Sequence, residues 1–254
     1  RRLFVEPALP YEPLGILLAI EPWNFPYYQI ARILAPQLSA GNVLVLKHAS
    51  NVSACALAIE RLLRAAGAPE GLVQVLLLPG SKLGRVIAAP EVASLSLTGS
   101  CEAGRAVAAL AGAQLKKCVL ELGGSDAYVI LDDADLDAAA RLCATSRLIN
   151  SGQSCIAAKR FIVVESVAER FTAAFAAELG AAKLGDPCDE ATDVGPLARL
   201  DLRTELQSQL ERSLALGAEL ARVGGEQPGP GAYFAPVALR AVRPDMPAFA
   251  EETF

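Results

Sequence analysis

Histidine is almost absent from this chain: His48 is the only one among 254 residues. A Ser-His-Asp or Cys-His catalytic engine would therefore have to be built on that one imidazole. The six cysteines (55, 101, 118, 143, 155 and 188) show no CxxC spacing and face no histidine-rich segment. That pattern argues against a zinc site, and no metal is expected. Cysteines without a disulfide framework point to reduced thiols and a cytoplasmic setting. Apolar residues make up 53% of the chain, yet no stretch approaches the roughly 18 unbroken apolar residues of a membrane span. No secretory leader is visible: Arg1-Arg2 is followed by only Leu3-Phe4-Val5 before Glu6 and Pro7. A basic block is lacking as well, and the formal net charge is −5. Neither a membrane nor nucleic acid is an expected partner. Finally, there is no GxGxxG, so the usual dinucleotide fingerprint contributes nothing.

What is present is a regular alternation of apolar runs and helical patterns. Residues 15–20 (GILLAI), 42–47 (NVLVLK), 73–78 (VQVLLL), 92–97 and 117–122 (KCVLEL) read as strands. Between them, 27–38, 52–66, 82–89 and 102–111 read as helices. Continuous apolar strands separated by helices predict parallel strands covered on both faces, a Rossmann-like half. After Gly123-Gly124 a second series begins. Residues 127–131, 161–164 and 234–242 read as strands, and 136–150, 168–183 and 201–216 as helices, with Asp133 or Asp135 capping the first. Residues 224–231 read as a Gly/Pro-rich loop. The expected fold is α/β, with a partial cofactor domain over 14–122 and a partial α/β catalytic domain over 123–254.

Three polar features stand out near element ends: Asn24 in PWNFP, Glu121 in LELGG and Cys155 in GQSC. Open α/β sheets bind ligands outside the carboxyl ends of their strands, where Asn24 and Glu121 are expected. Cys155 falls between a helix and the next strand. Together the three types cover one chemistry without histidine. A thiolate attacks an aldehyde carbonyl, and an amide side chain with the cysteine's own N–H stabilises the oxyanion. After hydride leaves, a carboxylate activates water against the thioester. Glu121 lies within an apolar strand, where a carboxylate is costly unless it is useful or paired. Cys55, Cys118 and Cys143 read as ordinary buried thiols, His48 as a loop residue, and the run Asp132-Asp133-Ala134-Asp135 as capping and a solvated face.

EPWNFP, LTGS, LELGGSD, GQSC and the terminal EETF, in this order, resemble the aldehyde dehydrogenase superfamily, and the likeness runs from about Leu14 to Phe254. The resemblance implies Cys155 as nucleophile, Glu121 as base and Asn24 as oxyanion donor. It implies NADP or NAD as cofactor and assigns Pro22, Trp23, Lys47, Ser50, Gly99, Ser100, Leu122, Glu252 and Phe254 to its binding. Ser50 stands where many NAD-preferring members carry a glutamate, so acceptance of NADP is expected. Ser100 is expected to open a helix whose N-terminus favours a pyrophosphate, with Gly99 allowing close approach. KHASNV, LKKCVLELGGSD and AAKRF are similar to bacterial succinate-semialdehyde dehydrogenases, which implies Arg32 as a partner for the distal carboxylate of a small aldehyde substrate. Ile149 departs from members with a second arginine six residues before the nucleophile. Arg147, roughly 200° away around a helix, is no simple substitute. A coenzyme A-acylating enzyme is the competing reading, disfavoured by the presence of Glu121. The family runs to nearly twice this length and forms dimers or tetramers. On that comparison the chain reads as a central fragment, with residues 1–13 the remnant of a bridging segment and activity in isolation weak.

Overall fold

The computed structural model describes residues 11–225 and 229–254. Most of the expected bridging remnant and part of the 224–231 loop lie outside the described residues. The chain divides into two compact units, 1–123 and 124–254.

The first unit is a five-stranded parallel sheet. Its strands are β1 (Ile16–Glu21), β2 (Val43–His48), β3 (Val73–Val75), β4 (Val92–Gly99) and β5 (Lys117–Leu122), in spatial order β3-β2-β1-β4-β5. Helices α1 (Pro26–Ser39), α2 (Ser53–Ala65), α3 (Leu83–Ala88) and α4 (Cys101–Ala113) form the crossovers. Alternation along the strands feeds two cores. Leu17, Ala19, Leu44 and Leu46 pack with Ile30, Leu34 and Ala56 on one face. Leu18, Ile20, Leu95 and Leu97 pack with Leu83, Ile87, Val107 and Ala111 on the other. Gly104 lets α4 approach β5, because a Cβ there would fall 2.6 Å from Leu122 Cδ2. The chain winds outward from β1 to β3, then returns to place β4 on the other side of β1. The strand order therefore reverses between β1 and β4, where a ligand crevice is expected at the carboxyl ends.

The reading of β5 as covered on both faces is corrected. β5 is one of the two edge strands, its exposure alternates, and Val119 is 59% exposed. β3 stops at Val75, three residues short of the expected end.

The second unit opens with a parallel βαβ: β6 (Ala127–Ile130), α5 (Leu136–Leu148) and β7 (Arg160–Val163), followed by α6 (Glu165–Ala181). Asp135 is the cap of α5, its carboxylate accepting from Ala138 N at 3.0 Å. Cys143 and Ala144 pack with Phe171, Phe175 and Leu179, and the two phenyl rings stack 5.8 Å apart. Then come α7 (Leu200–Ala215), β8 (Glu219–Val223), β9 (Val237–Arg240) and α8 (Pro247–Ala250), with β8 and β9 antiparallel. β8 and α8 were not expected. β8 follows the end of α7 across a short turn, and α8 is a single turn of PAFA, too short for a periodic signal.

Candidate active site

In the first unit, β1 delivers Glu21 to the carboxyl edge, and the Pro22–Phe25 turn leads into α1 with Pro26 as its first helical residue. This turn carries Trp23 and Asn24, both half-buried. His48 pins it at both ends: Nδ1 lies 3.0 Å from the Glu21 carbonyl and Nε2 lies 3.1 Å from the Pro26 carbonyl. The expectation of a loop histidine is thus corrected. His48 ends β2, is buried, and fastens the turn that presents Asn24. Burial pushes its pKa down, the two carbonyls push it up, and burial dominates. A neutral imidazole carries one N–H, so it donates to one carbonyl at a time.

Glu21 is the residue that sequence reasoning missed. It is 3% exposed, and burial pushes its pKa to about 8, against the opposing pull of the Thr98 hydroxyl and of Arg32, while the Glu121 charge adds to the rise. Its Oε2 meets no hydrogen-bonding atom among the described residues. Register places Thr98 of β4 opposite Glu121 of β5, and Glu21 beside Thr98. Arg32, reaching from α1, lies 3.2 Å from Glu121 Oε2. Two carboxyl groups and one guanidinium thus share the carboxyl edge. The expectation that Glu121 pays for burial is corrected: its side chain is 50% exposed, because edge strand β5 turns that face to solvent, and it is paired with Arg32. An exposed pair of this kind is worth about 0–1 kcal/mol and is readily opened. Arg32, assigned to a substrate carboxylate, is here the counter-ion of the assigned base.

The cofactor assignments of the first unit fall on the same edge, while Glu252 and Phe254 belong to the second unit. Lys47 is next to last in β2, and burial lowers its pKa. Ser50 is exposed at the start of the Ser50–Val52 helical turn. Gly99 ends β4, and Ser100 caps α4 as expected, its hydroxyl accepting from Ala103 N at 3.2 Å. Leu122 packs its side chain under α4 at Gly104. An ammonium, exposed hydroxyls and the first-turn N–H groups of a 13-residue helix are a donor set that suits phosphate and ribose oxygens.

In the second unit, α5 ends at Leu148, two residues before the expected end. Asn150, Ser151 and Gly152 then take positive φ of 51°, 57° and 82° in succession. Only glycine adopts this region without cost; the other two cost on the order of 1 kcal/mol each and must be held by neighbours. Asn150 Nδ2 donates to Gln153 O at 3.2 Å, and Gln153 Nε2 donates back to Asn150 O at 3.0 Å. Ala198 N donates to Gln153 Oε1 at 2.8 Å, and Ser151 Oγ donates to Gly195 O at 3.0 Å. Gln153 and Ser154 are buried, while Cys155 just beyond is half-exposed. The turn therefore carries the chain from a buried base to a half-buried cysteine. Cys143 is buried, and burial pushes its thiol pKa up, as suits an inert core cysteine.

Behind the turn sits Arg147. Burial lowers its pKa to about 10, with Glu252 opposing the shift. Nη1 donates to Thr253 O at 3.2 Å, and a Cβ on Gly152 would lie 3.0 Å from Nη2. Arg147 thus braces the turn and the EETF stretch. Lys159, which sequence reasoning quoted only within AAKRF, reaches Glu252 Oε1 at 2.7 Å and lies 5.8 Å from the Phe254 ring centroid. The structure so gathers Cys155, Glu252 and Phe254 around one lysine in this unit, and Asn24, Glu121, Arg32, Lys47 and Ser100 along one edge in the other.

The pattern of the aldehyde dehydrogenase family matches residues 6–254. A protein of Escherichia coli K12 named succinate semialdehyde dehydrogenase, NAD(P)+, is 47% identical over 97% of this chain and 54% of its own length. A Mycobacterium avium protein named succinate-semialdehyde dehydrogenase, NADP(+), is 47% identical over 96% of this chain and 52% of its own. Among solved structures, succinic semialdehyde dehydrogenase from Streptococcus pyogenes in complex with NADP+ superposes with a TM-score of 0.90 at 40% identity, over 93% of this chain and 52% of that one. The chain spans about half the length of the curated relatives it matches. On these grounds the chain belongs to the aldehyde dehydrogenase family.

Proposed function

We propose that the protein containing this chain oxidises an aldehyde to the carboxylic acid with NADP+ or NAD+, and that succinate semialdehyde is its preferred substrate. The observation that carries this reading is the half-exposed Cys155 at the end of a strained, fully buttressed turn. Backbone strain held by several neighbours is a mark of a site where position matters more than stability.

In this reading the Cys155 thiolate adds to the aldehyde carbon. The developing oxyanion is met by the Asn24 amide and the Cys155 N–H. A bound nicotinamide would supply the acceptor for the hydride lost from this adduct. A thioester to Sγ remains. Glu121, released from Arg32, takes a proton from water as the water oxygen attacks the thioester carbon. The acid departs, and the thiolate is restored. Lys47, Ser50 and the N-terminus of α4 hold the dinucleotide's adenosine and pyrophosphate oxygens. Ser50 presents no negative charge to a 2′-phosphate, and Lys47 attracts one. Glu252 and Phe254 serve the nicotinamide end, and Arg32 meets the substrate's distal carboxylate. The names of the relatives support both the substrate and the tolerance of NADP+.

The test is an assay of the complete polypeptide with succinate semialdehyde and a neutral aldehyde of equal length, each with both nucleotides. Oxidation is expected with either nucleotide, with kcat/KM higher for the semialdehyde. Lys47→Ala should weaken NADP+ more than NAD+. Full activity in Cys155→Ala would sink the reading.

A further inference from the structure

Lys159 has no role in the chemistry above. Its side chain is 1% exposed, where an ammonium persists only if its lost hydration is replaced. Three oxygens replace it. Nζ donates to Gly124 O at 2.6 Å, to Cys155 O at 3.1 Å and to Glu252 Oε1 at 2.7 Å. An ammonium has three donors, so the three bonds use its whole capacity. The oxygens come from three distant segments: the entry to β6, the loop that carries Cys155, and the EETF stretch. That last stretch is held again by Arg147 at Thr253 O and by Gln209, whose Nε2 donates to Glu252 O at 3.1 Å.

Mere solvation of a buried cation could be served by any oxygens. Here two of the three belong to residues of the proposed reaction. We infer that Lys159 is a positioning residue that locks the Glu252 carboxylate and the Cys155 main chain into one register, so that the nucleotide's ribose and the nucleophile are set by the same ammonium. The inference rests on the dehydrogenase reading for the roles of Glu252 and Cys155. A carboxylate has about four lone-pair sites, so a Glu252 held by Lys159 at one oxygen still has capacity for ribose hydroxyls. Removing the ammonium takes away the carboxylate's hydrogen-bonded ion-pair partner, leaving only the longer-range charge of Arg147, so that Glu252 is free to turn from the ribose, and it frees the Cys155 carbonyl.

The test is made on the complete polypeptide without turnover. NADP+ and NAD+ affinities are measured by calorimetry for the native protein, Lys159→Met, Lys159→Arg, Glu252→Gln and the Lys159→Met/Glu252→Gln pair. The rate of Cys155 alkylation by iodoacetamide is measured alongside. Loss of a charge-assisted bond predicts nucleotide binding weakened about tenfold in Lys159→Met. The double variant should be no weaker than the poorer single one, because both remove the same link. Alkylation of Cys155 should change in Lys159→Met, and Lys159→Arg should restore part of both losses. Independent, additive losses, or native affinity in Lys159→Met, would overturn the inference. If Lys159→Met fails to fold, Lys159→Arg in the native and Glu252→Gln backgrounds makes the same comparison. An equal effect in both backgrounds overturns the inference. A native protein that binds neither nucleotide overturns the dehydrogenase reading and this inference with it. Native binding that Lys159→Met leaves intact overturns the positioning role alone.

Discussion

Glu21 shows how much one side chain can hold at the edge of a parallel sheet. The carboxyl is buried, and its pKa of about 8 stands above the ordinary 4.5. Between these two values the folded protein keeps a proton that the unfolded chain releases. Stability therefore falls as pH rises from about 4.5, and the loss is complete above about 8. Glu21→Gln removes the titration. Its stability relative to the native protein should rise by roughly 2–4 kcal/mol between about pH 5 and pH 8. Urea unfolding at both pH values measures this, and a difference that stays constant with pH would show that Glu21 is not held neutral. Nothing in the sequence marked Glu21, since a Glu before Pro-Trp-Asn reads as a solvent-facing strand end. Its surroundings, Thr98 of β4, Glu121 of β5 and Arg32 of α1, come from segments distant in sequence, a tertiary fact that periodicity does not carry.

The turn from Asn150 to Gly152 is the element that defines the second unit's site. Gly152 has φ of 82° and faces Arg147 at contact distance. Gly152→Ala adds a Cβ in the left-handed region and against a guanidinium that is already bound to Thr253 O. A loss of about 1–2 kcal/mol is predicted, measurable as a lowered denaturation midpoint, together with altered Cys155 alkylation. A variant as stable as the native protein would mean that the turn is not constrained as described. At this scale the sequence was informative where periodicity is strong. β5 runs over 117–122 as KCVLEL predicts, α1 and α7 lie within one residue of their expected bounds, α4 lies within two, and α6 begins three residues early and ends two early. It failed where the backbone leaves regular regions. The sequence carries α5 on to Asn150, because that side chain bears no mark of a left-handed turn, unlike Gly. β8 was lost to its charged composition, and His48 was read as loop because its two carbonyl partners come from another strand and helix. The motifs nominate candidate site residues but not the company they keep: the Arg32–Glu121 pair, the Glu21 carboxyl and the Lys159 clamp all depend on segments distant in sequence.

Apolar side chains stand open to solvent in this chain. In the second unit, β6 and β7 form a two-stranded parallel ribbon with the paired Val129 and Ile162 more than half exposed, and Leu131, just after β6, is also open. A ribbon of two strands is marginal in water, and contiguous apolar patches bind partners. A polypeptide made of these residues alone is predicted to bind a hydrophobic dye, associate with rising concentration and turn over aldehyde weakly. Robust turnover by a monodisperse preparation would contradict that. The division of labour between Cys155 and Glu121 is tested by a rapid-mixing measurement on the complete polypeptide. Reduced nucleotide is followed after mixing Glu121→Gln with semialdehyde and NADP+, with Cys155→Ala as control. The account predicts a burst near one equivalent per site and then a stall in Glu121→Gln, because the thioester forms but water is not activated, and no burst in Cys155→Ala. Unchanged steady turnover in Glu121→Gln, or a burst in Cys155→Ala, would contradict it.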